Sequence, residues 1–457
     1  MNCIWITTDS FRQDHVHCYR PEGAADATAP GLQVQTPNID ALARDGVMFR
    51  RLRAEALPTV PCRRGFFTGR RVFPWRAEPP RKGMYITLPG WRPIPEEDVT
   101  VAEHLSARGW VTAMIADVYH LMKPAQNFHR GFCSFEWIRG QEYDQWRSQP
   151  LPEGYIEQFL RPGAPAPAPA RLRVLEQFLR NHAAVRDETD FPVARTFRTA
   201  IEWLEQNHGH DKFFLYIDTF DPHEPWLVPR RFLDLYDPDW DGPNLIYGNL
   251  YRRSELSDSE HRHLRARYAA ECTMVDYWLG KLLAAVDRLG LRERTLIVLV
   301  SDHGKIIGEF DHYGMPPQDT GPALNSVPCI LRHPAGENAG IHYDGWFYNP
   351  DLTATVLELL GAGDKPMTDG CSVWPAVSGR RPFRDHLVTG HGPMIAVWED
   401  DWLQLHDTTA GRIALYHLGE DPRRCRDVAD RYPETQRKLR GRLEALEENG
   451  ESAPGLD

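Results

Sequence analysis

Three apolar, β-rich runs that break directly into acids or histidines constrain this chain more than any other feature. Residues 3–8 read Cys-Ile-Trp-Ile-Thr-Thr and lead into Asp9. Residues 213–217 read Phe-Phe-Leu-Tyr-Ile and lead into Asp218, Asp221 and His223. Residues 295–300 read Thr-Leu-Ile-Val-Leu-Val and lead into Ser301-Asp302-His303-Gly304. Short apolar runs separated by long helical stretches are the signature of strands buried on both faces of an open, mostly parallel sheet. In such sheets ligands bind beyond the carboxyl ends of the strands. Three segments far apart in sequence therefore deliver carboxylates and imidazoles to one rim, a donor set suited to a divalent metal.

The 457 residues suffice for a main α/β domain over 1–379 and a small antiparallel α+β subdomain over 380–457, where short hairpin-like strands precede a charged helix. Residues 120–195, rich in Trp, Pro and Arg, read as an insertion or lid, with 162–169 as an extended polyproline-like tether. This stretch is expected to cover the site or form a contact in a homo-oligomer, with Trp137, Arg139 and Trp146 shaping the organic half of a substrate. A net charge of −11 disfavours nucleic acid as a partner but leaves room for a small anion in a local basic pocket. No run of 18 apolar residues exists, so no membrane span is expected. The first strand starts at residue 3, which leaves no room for a cleaved signal, and eight scattered cysteines suit reduced thiols; a cytoplasmic location is expected.

Residues 58–70, Pro-Thr-Val-Pro-Cys-Arg-Arg-Gly-Phe-Phe-Thr-Gly-Arg, read as a helix with Pro61 in its first turn and Gly69 at its end. Thr59 then sits at the N-terminus, where free N–H groups and the dipole favour an anion or a developing alkoxide. Arg63, one turn on, would neutralise the same charge. A Thr59 hydroxyl bound to a metal would lose its proton more readily and act as a nucleophile. The competing reading is that Thr59 merely caps the helix.

These segments together resemble the sulfatase branch of the alkaline-phosphatase superfamily over nearly the whole chain. The matching residues are Asp9, Thr36-Pro37-Asn38, Thr59-Val60-Pro61-Cys62-Arg63 with Thr68-Gly69-Arg70, and Gly109-Trp110-Val111-Thr112-Ala113. Further on come Pro222-His223-Glu224-Pro225, Ser301-Asp302-His303-Gly304 and Leu415-Tyr416-His417-Leu418-Gly419-Glu420-Asp421-Pro422. Each motif alone is weak; their order and spacing are specific. The resemblance implies an alkaline-phosphatase-like α/β/α sandwich with a mostly parallel central sheet and a small C-terminal antiparallel subdomain. It also implies a divalent cation on Asp9, Asp302 and His303, with Thr59 Oγ and Ser10 completing the shell. An imidazole in that shell favours Mn²⁺ or Zn²⁺, with Ca²⁺ and Mg²⁺ left open. His223 is expected to hydrogen-bond a non-bridging oxygen of the substrate or to protonate the leaving group, His120 is the other candidate acid, and Arg63 is expected to stabilise transition-state charge.

The departures from the pattern carry chemistry. Counting back from Thr68-Gly69-Arg70 places Thr59, not Cys62, at the nucleophile position. Sulfatases oxidise a Cys or Ser there to formylglycine; Thr, whose Cβ carries a methyl group, cannot become an aldehyde. A Thr alkoxide can still attack phosphorus. Ser10 replaces the second acid of an Asp-Asp pair, Asp117 replaces a sulfate-binding Lys, and Met315 replaces another, leaving Lys305 and His312 as nearest substitutes. Asp117, Lys305 and His312 are accordingly the expected substrate-binding residues. The leading expectation is a metal-dependent hydrolase of small anionic esters, phosphate diesters or phosphonate monoesters, acting through a covalent Thr59 intermediate. A formylglycine-free sulfatase and a catalytically silent binding protein are the alternatives. A second metal on Asp218, Asp221, His223 and His312 ranks below the one-metal reading.

Overall fold

In the computed structural model, residues 1–449 are described except 21–31, 76–82, 84–85, 124 and 364–367. The strand Asn2–Thr8 lies at the centre of an eight-stranded sheet, parallel to Thr295–Ser301 on one side and to Phe213–Thr219 on the other. The sheet continues from Phe213–Thr219 through Val111–Ala116 to Ser134–Trp137 at one edge. On the other side Cys329–Arg332 runs antiparallel, followed by Val47–Phe49 and His342–Tyr343. The sheet is therefore mixed, and its three central strands are the three apolar runs singled out in the sequence.

Alternation along those strands builds two layers. Ile4, Ile6, Leu215, Ile217, Ile297 and Leu299 face a core shared with the helices Pro192–Asn207 and Asp258–Arg288. Trp5, Phe214, Tyr216, Leu296, Val298 and Val300 face the opposite core, shared with the helices Thr59–Thr68 and Asn349–Leu359. Each large side chain buried there contributes about 1.5–3 kcal/mol, so the central strands are held in register by both faces.

Register then places the site. Thr8 pairs with both Thr219 and Ser301, so the three strands end level. The ladder runs one step further: the Asp9 amide donates to the Thr219 carbonyl at 3.0 Å, and the Asp302 amide donates to the Thr8 carbonyl at 3.1 Å. A second, five-stranded sheet follows the order Arg412–His417, Trp402–Asp407, Met394–Glu399, His386–His391, Ala56–Leu57. Its last strand comes from the N-terminal part of the chain and is followed directly by Pro58 and Thr59, so the C-terminal sheet helps fix the start of the Thr59–Thr68 helix.

Two local readings change. Within the stretch read as an insertion, Ser134–Trp137 is the parallel edge strand of the main sheet, and helix begins at Pro169, where the extended tether was expected to end. The Pro37–Arg44 helix takes no side-chain cap from Thr36 at its N-cap position; instead the Asp276 carboxylate accepts from the amides of Asn38 (3.0 Å) and Ile39 (2.8 Å).

Candidate metal centre and nucleophile

Asp9, Asp302 and His303 converge at the level ends of the central strands, each with a ligand atom within 4.8 Å of the others and all fully buried. The Asp302 side chain is held by the amides of Ser10 (3.1 Å) and His303 (2.6 Å). His303 turns Nδ1 to the Gly304 carbonyl at 2.8 Å, which fixes the proton on Nδ1 and aims the Nε2 lone pair into the cluster. Nε2 lies 3.6 Å from Asp9 Oδ1 and 3.4 Å from Asp302 Oδ2. Gly304 is required behind it, since a Cβ there would meet the Ala323 carbonyl oxygen at 2.1 Å. Burial pushes the His303 imidazole down to about 3, so it is neutral at neutral pH and free to ligate.

Thr59 is the first residue of its helix, and the N-cap position is Pro58. The cap reading therefore gives way: the Thr59 hydroxyl, 3% exposed, lies 3.2 Å from His303 Nε2. Ser10, at φ +63, donates from its hydroxyl to Asp9 Oδ1 at 2.9 Å and so orients the carboxylate. Cys62, the other candidate nucleophile, directs Sγ to the Asp302 carbonyl at 3.2 Å, and burial pushes its thiol well up.

Arg63 is the electrostatic counterweight of this centre. Its guanidinium grips Asp218 with two bonds (2.8 and 2.7 Å) and turns Nη1 to Asp9 (3.2 Å) and to Asp302. The side chain thus clamps three carboxylates, with the substrate-charge role expected of it confined to the remaining Nη2 proton. Three buried carboxylates against one guanidinium leave an excess of two negative charges beside a neutral imidazole. Burial, with the Asp9 charge adding to it and Arg63 opposing, pushes the Asp302 carboxyl well above the ordinary range. That excess and the donor set fit a divalent cation, with Asp9, Asp302 and His303 as the residues that would hold it.

Around the centre, His223 stacks on Phe220 at 4.2 Å and turns Nδ1 to the Glu224 carbonyl at 2.7 Å, leaving Nε2 uncommitted. His120 packs among Trp91, Tyr119 and Phe220, with Nε2 3.7 Å from the Glu142 carboxylate. Burial brings its imidazole down to about 3, so it enters as a neutral hydrogen-bond partner rather than a ready acid. Lys305 is fully buried and its ammonium donates to Glu224, whose other oxygen accepts from Asn249.

Two expected substrate contacts are not assembled. Asp117 is fully buried and accepts from the Phe220 amide (2.5 Å), Thr196 (3.2 Å) and Gln141 (3.3 Å), so it braces the loop after the 213–219 strand instead of facing a substrate. His312 is exposed in the wall of a cavity of about 440 Å³ between residues 306–319 and the C-terminal sheet, and that cavity contains neither Thr59 nor His303. The second metal set also fails to assemble: Asp218 is taken by Arg63, Asp221 accepts from Gln141 at 2.9 Å, and Asp9–Asp302–His303 is the one group among the described residues placed so that it could hold a metal ion. Glu142 and Gln141, which reach the site from the 139–147 loop, carried no local signal; Glu224 stood in the Pro222-His223-Glu224-Pro225 motif but went unassigned.

The family model described as Sulfatase matches residues 1–362. The multifunctional alkaline phosphatase superfamily protein PehA of Trinickia caryophylli is 26% identical over 424 residues, covering 83% of this chain and 78% of that protein. The solved phosphonate monoester hydrolase of Agrobacterium radiobacter superposes with a TM-score of 0.72 at 20% identity, over 98% of this chain and 96% of its own. A protein solved in complex with its substrate D-glucosamine-2-N,6-O-disulfate superposes with a TM-score of 0.70 at 17% identity, over 98% and 97%. At those identities the two structures speak for the fold, which is the one the motifs implied.

Proposed function

The chain belongs to the sulfatase family of hydrolases, and from that premise we propose that it cleaves phosphate diesters or phosphonate monoesters with Thr59 as the attacking nucleophile. The observation that carries this reading is the Thr59 hydroxyl at 3.2 Å from His303 Nε2, on the first residue of a buried helix. The threonine side chain argues for phosphorus, because the aldehyde hydrate that sulfatases use cannot form on it. Similarity to PehA and to the Agrobacterium radiobacter hydrolase supports the same direction.

A divalent ion held by Asp9, Asp302 and His303 would supply counter-charge and a lowered pKa for a nearby hydroxyl. The chain's own residues do the rest. Deprotonated Thr59 Oγ1 bonds to phosphorus as the bond to the leaving oxygen breaks, and protonated His223 hands its Nε2 proton to that oxygen. Water then attacks phosphorus and gives one proton to the His223 Nε2 left bare by the first step, while the Thr59–phosphorus bond breaks and its electron pair returns to Thr59 Oγ1. The helix N-terminus favours the negative charge that passes through Thr59 Oγ1 in both steps. Lys305, neutralised by Glu224, suits a monoanionic ester better than a dianion.

The test is turnover of the Mn²⁺- and Zn²⁺-loaded protein on p-nitrophenyl sulfate, p-nitrophenyl phosphate, bis-p-nitrophenyl phosphate and a p-nitrophenyl phenylphosphonate. The diester or phosphonate is expected to lead by about 10²-fold in kcat/KM, about 2.7 kcal/mol of transition-state preference. A lead for the sulfate ester would replace this reading with a formylglycine-free sulfatase, and no turnover together with no tightly held metal would favour a silent binding protein.

A further inference from the structure

We propose that the outer side of the 139–147 loop is a binding site for a small oxyanion of the phosphate class, separate from the metal centre. A cavity of about 200 Å³ lies there, walled by Arg139, Trp146, Arg147, His182, Asp190 and Arg195. The Arg147 guanidinium lies over the Trp146 ring at 4.0 Å, and that of Arg195 lies 5.6 Å from the same ring. Arg195 donates one bond to the Arg139 carbonyl at 3.1 Å. Among the described residues neither Arg147 nor Arg195 forms an ion pair, although the chain as a whole carries an excess of acids.

Of the acids nearby, Asp144 is already paired with cations, and Asp190 is bonded by backbone amides. Asp144, fully buried, takes both forks of Arg139 at 2.7 Å, Lys123 at 3.4 Å and the Gly140 amide at 3.1 Å. Asp190 accepts from the amides of Arg186 (2.8 Å) and Asp187 (3.3 Å). Arg147 and Arg195 set against the Asp190 carboxylate leave the cavity wall with a net positive charge, and the guanidinium fork is the group that best matches a tetrahedral or carboxylate oxyanion. The size narrows the class. At ~30 Å³ per water the space holds about six or seven waters, below the 300–1,000 Å³ of sites for larger organic ligands. Trp146 is covered on one face by Arg147 at 4.0 Å, which takes that face away from a nucleobase. A compact oxyanion answers the net positive charge, and the volume is too small for a nucleotide or a polyanion.

The place of the site gives it consequence. The inner side of the same loop sends Gln141 to Asp221 and Asp117, and Glu142 to the Tyr119 hydroxyl at 2.6 Å. Asp144 anchors the loop through Arg139 and the Gly140 amide, so an oxyanion outside and the metal centre inside share one structural support. This inference does not depend on which ester the metal centre cleaves.

The experiment is calorimetric titration of the metal-loaded protein with inorganic phosphate, with sulfate and acetate as parallel probes, on wild type and on Arg147→Gln/Arg195→Gln. The expected result is a phosphate site weakened at least tenfold in the double variant, with sulfate close to phosphate and acetate weaker. The inhibition constant of phosphate against ester turnover, which reads the metal centre, should stay unchanged, and a thermal melt confirms that the variant is folded. An Arg147→Lys/Arg195→Lys variant keeps the charge without the fork and should fall between. Equal phosphate binding in wild type and the Gln variant would overturn the proposal. So would a shift of the inhibition constant by the same factor as the binding constant, or acetate binding as tightly as phosphate.

Discussion

Thr59 Oγ1 and His303 Nε2 lie 3.2 Å apart, joining the start of the 59–68 helix to the end of the 295–301 strand across 244 residues of sequence. Because Pro58 holds the cap position, the hydroxyl does not cap the helix, and its one side-chain partner among the described residues is His303. Thr59→Ala is therefore expected to lower kcat by at least about 10³-fold, about 4 kcal/mol, while the melting temperature and metal content stay close to wild type. Thr59→Ser should keep measurable turnover. Full activity in Thr59→Ala, read by steady-state kinetics, would remove Thr59 from the mechanism.

Arg63 tests the charge balance of the centre. Removing it leaves Asp9, Asp218 and Asp302 buried together without their common partner. Breaking a buried ionic set in this way costs about 3–5 kcal/mol, so Arg63→Met should lower the urea midpoint markedly in metal-free protein. Added Mn²⁺ should restore more stability to the variant than to wild type, since the cation then carries a larger share of the compensation. Arg63→Lys should not rescue fully, because an ammonium cannot grip Asp218 with two parallel bonds. A variant as stable as wild type without metal would refute this balance.

What could be read from the sequence follows from how local each signal is. Asp9, Asp302 and His303 follow uninterrupted apolar runs, so a strand reading alone carries them to one rim, and the alternating C-terminal strands are as plain. The edge strand Ser134–Trp137 is largely exposed and has no apolar run to announce it. The Asp276 cap on the 37–44 helix and the Arg63 grip on Asp218 join residues 238 and 155 positions apart, and no local pattern encodes such a partner. Asp117 looked like a substrate ligand because it ends a strand at the right rim. Only the fold shows that a backbone amide and neighbouring side chains already take its oxygens.

Glu224 and Lys305 make a second buried pair beside His223, and it bears on which ester charge the site accepts. Glu224→Gln would leave the Lys305 ammonium uncompensated at the edge of the centre. The expected outcome is a gain of roughly tenfold in the kcat/KM ratio of p-nitrophenyl phosphate over the diester, about 1.4 kcal/mol, together with a lower melting temperature. Lys305→Met should move the ratio the other way. No change in the ratio for either variant would place the pair in the scaffold and outside recognition.

Acid sensitivity of the fold is expected to arise partly at His182, away from the metal centre. Its ring packs on Phe178 at 3.9 Å with Nδ1 turned to the Phe178 carbonyl at 3.0 Å. Burial, the leading cause, brings its imidazole down to about 4 from an ordinary 6.5, with Arg195 adding to the fall. A histidine depressed in the folded state binds its proton more readily when unfolded. Its stabilising contribution is therefore complete above pH 6.5 and is lost as the pH falls through 4. One such group steepens the stability curve by at most about 1.4 kcal/mol per pH unit inside that window. His263, also depressed by burial and by Arg267, acts in the same direction. His182→Asn removes one of these protons, so the difference in unfolding free energy between variant and wild type should shift in favour of the variant from pH 6.5 down to 4. Urea unfolding across that range reads the difference, and a difference independent of pH would show that His182 does not titrate with unfolding.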